Sequence, residues 1–176
     1  MPYSIARSRD EAHLYLDLNP CACGSADTDW DSGLVSVEGE PVTCYEGRCA
    51  ACGAEREHLF GLPEREVTPS GFPAFGGPAF GGTEPSELLD PGEWLWVADL
   101  TAGNVPEGGE RRQALSIARA AVEEVIKFVP PGQDEVPEDA FWSQRGRAVR
   151  AAEPGRFRLD RLLVVRDTYR ELAEAS

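Results

Sequence analysis

The sequence lacks several features, and each absence narrows the class of protein. No apolar run approaches the roughly 20 residues that a membrane-spanning helix needs. The first residues lack the basic start and apolar centre of a secretory signal, which favours a cytoplasmic location. There is no Gly-x-Ser-x-Gly motif, and the glycines of residues 76–82 lack the lysine of a phosphate-binding loop. Because no catalytic signature is present, the sequence favours a protein that is not an enzyme.

Acidic residues dominate the charged ones that are present. The chain of 176 residues has 31 acids against 17 bases, for a net charge of -14. Residues 1–105 carry -13 of this charge, whereas residues 140–170 contain eight arginines against three acids. A hydrophobic content of 41% is ordinary for a globular protein. Since the overall charge repels a phosphate backbone, the composition favours a basic protein as the partner.

Five cysteines lie close together, and four of them form two pairs, each followed by a glycine. An odd number of cysteines in closely spaced pairs favours metal binding in a reduced compartment over a disulfide framework. A zinc ion takes about four thiolates at roughly 2.3 Å, and glycine allows the tight turn around each pair. The sequence therefore predicts a zinc site with the ligands Cys21, Cys23, Cys49 and Cys52.

This arrangement resembles the zinc-ribbon group, in which two glycine-followed cysteine knuckles lie on a small antiparallel sheet. The resemblance covers residues 19–60 and implies a structural zinc ion without implying an activity. Four thiolates leave no open coordination position for catalysis. Cys44 lies in an alternating strand pattern and is expected to be buried; Cys44 or His58 would be the substitute ligand if the first pair did not close the site. The order of the other elements resembles that of small bacterial proteins.

The hydrophobic patterns predict an α+β fold, with a small three-stranded antiparallel zinc-ribbon sheet and a helical C-terminal half of three to four helices. A capping signal at Ser8 and a proline at position 20 delimit a first helix. Strands are predicted at 34–37, 42–45 and 56–60, after a polar acidic loop containing three aspartates. Helices are predicted from 90 to 103, from 108 to 129 and from 154 to 173.

Three segments follow from these patterns. Residues 1–62 form the first helix and the ribbon, residues 63–89 a Pro/Gly-rich loop or linker, and residues 90–176 a helical part that either stands alone or forms one domain with the ribbon. The linker contains a tandem repeat, 73–77 and 78–82. The repeat is either a duplication in a loop that tolerates changes of length or an aromatic lid over a pocket or partner.

We expect a non-enzymatic acidic protein, stabilised by zinc, that binds a basic protein partner. In size and charge the chain is similar to small acidic bacterial immunity proteins that neutralise basic nuclease toxins, which implies an inhibitor role. Two alternatives stay open: a nucleic-acid-associated protein that uses the arginines of residues 145–170, or an enzyme with a cleft under the 63–92 loop. The candidate partner-binding residues are Phe72, Phe75, Phe80, Asp27, Asp29 and Asp31.

Overall fold

The computed structural model describes residues 3–64 and 80–176 of the chain. The chain divides into two compact units, residues 1–68 and residues 69–176. In the described part of the N-terminal unit, one helix accompanies a sheet of three strands in sequence order, and both neighbouring pairs of strands are antiparallel. Its elements are α1 (Arg9–Leu18), β1 (Thr28–Val37), β2 (Glu40–Cys49) and β3 (Glu55–Gly61). The α+β fold and the three-stranded antiparallel sheet predicted from the sequence are confirmed.

The C-terminal unit is helical. Its elements are α2 (Pro91–Gly103), α3 (Glu110–Ile126), α4 (Gln144–Ala152) and α5 (Leu159–Glu174), with short 3-10 turns at Glu138–Ala140 and Pro154–Phe157. Helix α3 packs against both α2 and α5, and α2 also packs against α4. None of the helices in the described residues is long and apolar enough to cross a membrane.

The sheet is held in register by a tight hairpin. Glu38 and Gly39 join β1 to β2, and both have positive φ angles, 52° and 88°, as a type I′ turn requires. The pairing that follows is uninterrupted along all ten residues of β1. Because side chains alternate between the faces of a strand, this register determines which side chains share a face of the sheet.

One face of the sheet packs against α1 through aromatic side chains. Tyr45 and Phe60 are almost completely buried on this face, with their ring centroids 5.6 Å apart. Tyr15 of α1 meets the edge of Phe60 at 5.6 Å. The guanidinium of Arg56 lies over the ring of Trp30 on β1, 4.7 Å from the ring centroid. These contacts assign the odd-numbered residues of β2, and the residues paired with them, to the face covered by α1.

A capping box begins α2. The side chain of Asp90 accepts a hydrogen bond from the Glu93 N–H at 2.9 Å, and the Glu93 carboxylate accepts one from the Asp90 N–H at 3.1 Å. The helix ends at Gly103, as predicted. Within this helix Trp94 is completely buried, and the ring of Phe80 packs against it at 4.8 Å. The core of this unit therefore includes an aromatic pair.

Four elements differ from the prediction. Strand β2 runs from Glu40 to Cys49 and is longer than the predicted 42–45. Strand β1 begins at Thr28, so Asp29 and Asp31 lie in a strand instead of a polar loop; an exposed edge strand lacks the apolar alternation that would reveal it. Helix α4 was not predicted, because its only buried residue is Gly146, so the sequence shows no apolar stripe there. Helix α5 begins at Leu159 instead of residue 154, because the preceding residues form a 3-10 turn.

Candidate metal centre and acidic sheet face

The second cysteine pair lies on a tight turn at the end of β2. The Gly53 N–H donates to the Cys49 C=O at 2.8 Å, and the Cys49 N–H donates to the Ala54 C=O at 2.9 Å. Gly53 has a φ of 75°, which a residue with a side chain rarely adopts. These bonds fold the backbone around the Cys49 sulfur.

The first cysteine pair repeats this turn with one residue fewer. The Gly24 N–H donates to the Cys21 C=O at 2.7 Å, and the Cys21 N–H donates to the Ser25 C=O at 2.9 Å. Gly24 again has a positive φ, 89°. Each bond therefore spans one residue less than its counterpart in the second turn. The shorter Cys-x-Cys spacing changes the length of the loop but keeps its form.

The two turns bring all four sulfur atoms together. The Sγ atoms of Cys21 and Cys52 are 3.6 Å apart, as are those of Cys23 and Cys49. All four lie within 4.8 Å of one another. In a regular tetrahedron with metal–sulfur bonds of about 2.3 Å, the sulfur atoms are about 3.8 Å apart. The spacing of the cluster therefore fits one tetrahedral metal ion.

The backbone of the second turn favours a thiolate at Cys49. The N–H of Cys52, and less strongly that of Ala51, lowers the pKa of Cys49 to about 6, helped by the thiols of Cys23 and Cys52. The pKa of Cys52 moves to about 11: the Ala54 N–H lowers it, but hydrogen bonds to the other three sulfur atoms and burial outweigh that effect. A bound cation would offset the repulsion between neighbouring thiolates in such a cluster.

Neither substitute ligand belongs to this cluster. Cys44 lies on the face of the sheet opposite Cys49, since the two differ by an odd number of residues on β2. Burial raises the pKa of the Cys44 thiol, and the nearby carboxylates of Glu46 and Glu57 raise it further. These three side chains also lie within 4.8 Å of one another. Cys44 is therefore a buried strand residue on the face opposite the four-cysteine cluster, as the sequence predicts.

His58 lies in the aromatic layer between the sheet and α1. Its ring is 6.1 Å from that of Tyr15 and 5.9 Å from that of Trp30. Burial lowers the pKa of His58, and the charge of Arg56 lowers it further. The imidazole is therefore a neutral packing group near neutral pH.

The other face of the sheet carries a concentration of carboxylates. Asp31, Glu46 and Glu57 lie side by side across the three strands, with no basic residue in their row. In the adjacent row, the guanidinium of Arg48 is 3.0 Å from the carboxylate of Glu55 on β3. All these side chains are exposed. We call this surface the acidic sheet face, and it consists of Asp29, Asp31, Glu46, Arg48, Glu55 and Glu57.

Sequence reasoning identified the aspartates of β1 but missed the three glutamates of this face. They come together because Asp31 pairs with Glu46 and Glu46 pairs with Glu57, a contact between residues far apart in the chain. The signal that could have found them is the Glu-Gly turn at residues 38–39, which sets the register of the hairpin. Asp27 lies just before β1 and is exposed, and its carbonyl accepts a hydrogen bond from the Ala50 N–H.

The remaining candidate residues lie in or beside the C-terminal unit. Phe72 and Phe75 fall outside the described residues, and so does most of the predicted lid. Phe80 is buried against Trp94 instead of facing solvent. Most arginines of residues 145–170 pair with acids of their own unit, for example Arg156 with both carboxylate oxygens of Asp99 at 2.7 Å. The other pairs are Arg145–Glu93, Arg150–Glu138, Arg158–Asp160, Arg166–Asp167 and Arg170–Asp167.

This pairing favours the interpretation that the arginines neutralise neighbouring acids. The features of the chain that point to a function are the cysteine cluster and the acidic sheet face. No protein-family model, no curated protein and no solved structure matches the chain.

Proposed function

We propose that this protein is a non-enzymatic acidic protein, stabilised by a structural zinc ion, that binds a basic protein partner through the acidic sheet face. The observation that carries the proposal is the row formed by Asp31, Glu46 and Glu57. Like charges directly opposite one another destabilise a sheet, so sheet stability gives no reason for this row. A surface of this kind accelerates encounter with a positively charged partner and discourages acidic ones.

Zinc is the metal that best suits the cysteine cluster. Thiolates are soft ligands that select zinc over magnesium or calcium, and the sulfur spacing of 3.6 Å fits a tetrahedral ion. Cys21, Cys23, Cys49 and Cys52 would hold it. When bound, the ion supplies folding free energy that a small three-stranded sheet needs. With all four positions taken by protein ligands, it offers no place for a substrate.

The specific form of the proposal is an immunity or inhibitor protein. A nuclease toxin needs a basic surface to bind the phosphates of its substrate. Three neighbouring carboxylates on a rigid sheet would occupy such a surface and keep the substrate away. The sheet suits this role because its strands hold the charges about 4.8 Å apart without side-chain or backbone rearrangement.

Affinity capture from extracts of the source cell tests the proposal. The bait is the full chain, compared with a variant whose carboxylate row is neutral and with a control that loses the same charge in the C-terminal unit. The row variant is Asp31→Asn/Glu46→Gln/Glu57→Gln, and the control is Glu107→Gln/Glu171→Gln/Glu174→Gln. Captured proteins are identified by mass spectrometry at increasing salt concentration.

The wild type and the control should retain the same basic protein, while the row variant should lose it, as should all baits at high salt. Retention of acidic or neutral proteins alone would contradict the proposal. Equal capture by the row variant would show that the acidic sheet face is not the binding surface.

A further inference from the structure

The hairpin determines which backbone groups of β1 are used within the sheet. Its two-residue turn makes Val37 and Glu40 a hydrogen-bonded pair, so every second residue counted back from Val37 bonds to β2. The bond from the Ala50 N–H to the Asp27 C=O, at 2.9 Å, continues this alternation beyond the other end of the strand. The backbone groups that point to the opposite edge are those of Thr28, Trp30, Ser32, Leu34 and Ser36.

This edge of the sheet is open in the part of the chain that the structure describes. There, β1 pairs with β2 alone, and seven of its ten residues are exposed. Leu34 is 70% exposed and Val35 is 40% exposed, and as neighbours on a strand they lie on opposite faces. A long edge strand with exposed apolar side chains is a template for an added strand.

The opposite edge of the sheet, formed by β3, is partly paired with the N-terminal segment. Ile5 forms a parallel bridge with Gly61 of β3. The Gly61 N–H donates to the Ser4 C=O at 3.0 Å, and the Ala6 N–H donates to the Gly61 C=O at 3.3 Å. The N-terminal segment therefore closes one end of β3, whereas β1 keeps a full row of backbone donors and acceptors at its edge.

The charges beside β1 specify the kind of strand that fits. Side chains of an added strand on the acidic sheet face would lie about 4.8 Å from Asp29 and Asp31. Glu46 extends the negative charge behind Asp31. Toward the turn, β1 presents Val35 on this face and Leu34 on the other, so apolar side chains fit there. The matching segment is extended, has a lysine or arginine at alternate positions and has apolar residues between or beyond them.

We infer that the partner binds by adding an extended basic segment to the open edge of β1 as a fourth strand. This inference rests on the proposed function and specifies how the acidic unit engages its partner. A second copy of the chain is a poorer occupant, because it would bring two edges that each carry Asp29 and Asp31 together, in chains of net charge -14.

Amide hydrogen exchange of the full chain, with a synthetic peptide of alternating lysine and valine, tests this docking mode. Strand addition slows exchange at the amides that point to the open edge, by at least about tenfold at saturation, because each gains an acceptor. Amides already bonded to β2 serve as internal references. A matched peptide, N-methylated at the amides that face the protein, keeps the charge but cannot donate these bonds. The reporting amides are those of Thr28, Trp30, Ser32, Leu34 and Ser36.

A pair of variants at one position tests the same point from the side of the protein. Ser32→Pro removes an edge donor without removing a bond to β2, and Ser32→Ala keeps the donor. We expect the alanine variant to bind the peptide like the wild type and the proline variant to bind at least tenfold more weakly, with equal metal content in both.

Three results would overturn the inference. The first is peptide binding without slower exchange at the reporting amides. The second is equal binding of the N-methylated peptide. The third is slow exchange at these amides without peptide, increasing with protein concentration, which would assign the edge to a second copy. If Ser32→Pro still captures the basic partner in the extract experiment, strand addition fails while the proposed function stands; if no bait captures a basic partner, the proposed function fails.

Discussion

The two units of this protein differ in what holds them together. In the N-terminal unit, the large apolar side chains that are fully buried are Leu16 and Val42, among the described residues, while Tyr45 and Phe60 are almost completely buried. The C-terminal unit contributes many more to this class: Leu89, Trp94, Leu95, Val122, Val125, Phe157 and Leu162. A larger apolar core stabilises the helical unit, and we expect the small sheet to gain stability from metal binding at its cysteine cluster.

The units also differ in how they use charge. In the C-terminal unit, arginines and acids meet one another, as Arg156 and Asp99 do. On the acidic sheet face, Arg48 stands among five carboxylates. Charges that pair internally contribute to a fold, while unmatched ones are available to a partner. The proposed function therefore places partner binding on the N-terminal unit.

Removing a cysteine ligand should have the largest effect, and it should unfold the N-terminal unit while leaving the C-terminal unit folded. Cys49→Ser is expected to abolish tight metal binding and the fold of the sheet, because metal binding contributes about 10–16 kcal/mol in small zinc domains. Helices α2 to α5 should keep their signal in circular dichroism. Metal content by mass spectrometry should be one zinc ion per chain in the wild type. Cys44→Ala is the control and should keep the metal; loss of zinc from the control, or its retention by Cys49→Ser, would contradict the assignment.

A substitution at the contact of α2 and α4 should damage only the helical unit. A Cβ at Gly146 would overlap the buried carboxylate of Asp90, which accepts a hydrogen bond from the Ser143 N–H at 2.8 Å. We expect Gly146→Ala to lower the free energy of unfolding by about 1–3 kcal/mol. Thermal unfolding followed by the helical signal measures this change. Gly155→Ala is the control and should leave the free energy of unfolding almost unchanged, because no atom lies within 4 Å of its added Cβ. Loss of metal from Gly146→Ala would contradict the expectation that the two units respond independently.

The smallest expected effect is a pH dependence specific to the helical unit. Burial raises the pKa of Glu93 above its ordinary value of 4.5, although the hydrogen bond from the Asp90 N–H acts in the opposite direction and lowers it. The folded state then holds this proton more tightly than the unfolded state, so stability falls as the pH rises from 4.5 through the raised pKa. Glu93→Gln should remove this part of the slope in denaturation experiments across that window. Glu171→Gln, an exposed substitution, should leave the slope unchanged; a wild-type slope matched by Glu93→Gln would refute the assignment.

Local signals in the sequence predicted much of this structure. Ser8 and Asp90 mark the starts of their helices because a side chain that accepts from the first turn needs only nearby residues. The glycine-followed cysteine pairs predicted which four cysteines cluster, because each pair lies on its own tight turn. The carboxylate row was missed because Asp31 and Glu57 meet only through the strand between them. Helix α4 was missed because its packing depends on the absence of a side chain at Gly146.

The cysteine turns flank a hairpin of uninterrupted register, and this links metal capture to correct folding. Thr28 is paired with Cys49, so the strand that follows the first turn begins beside the residue that starts the second. If the hairpin slipped by one residue, Cys49 would move about 3.3 Å along β1 and the paired residues would exchange faces. The four sulfur atoms could then not surround one ion. A metal ion bound by the four cysteines would therefore favour correct strand pairing, since only the correctly aligned hairpin brings the four sulfur atoms around one ion.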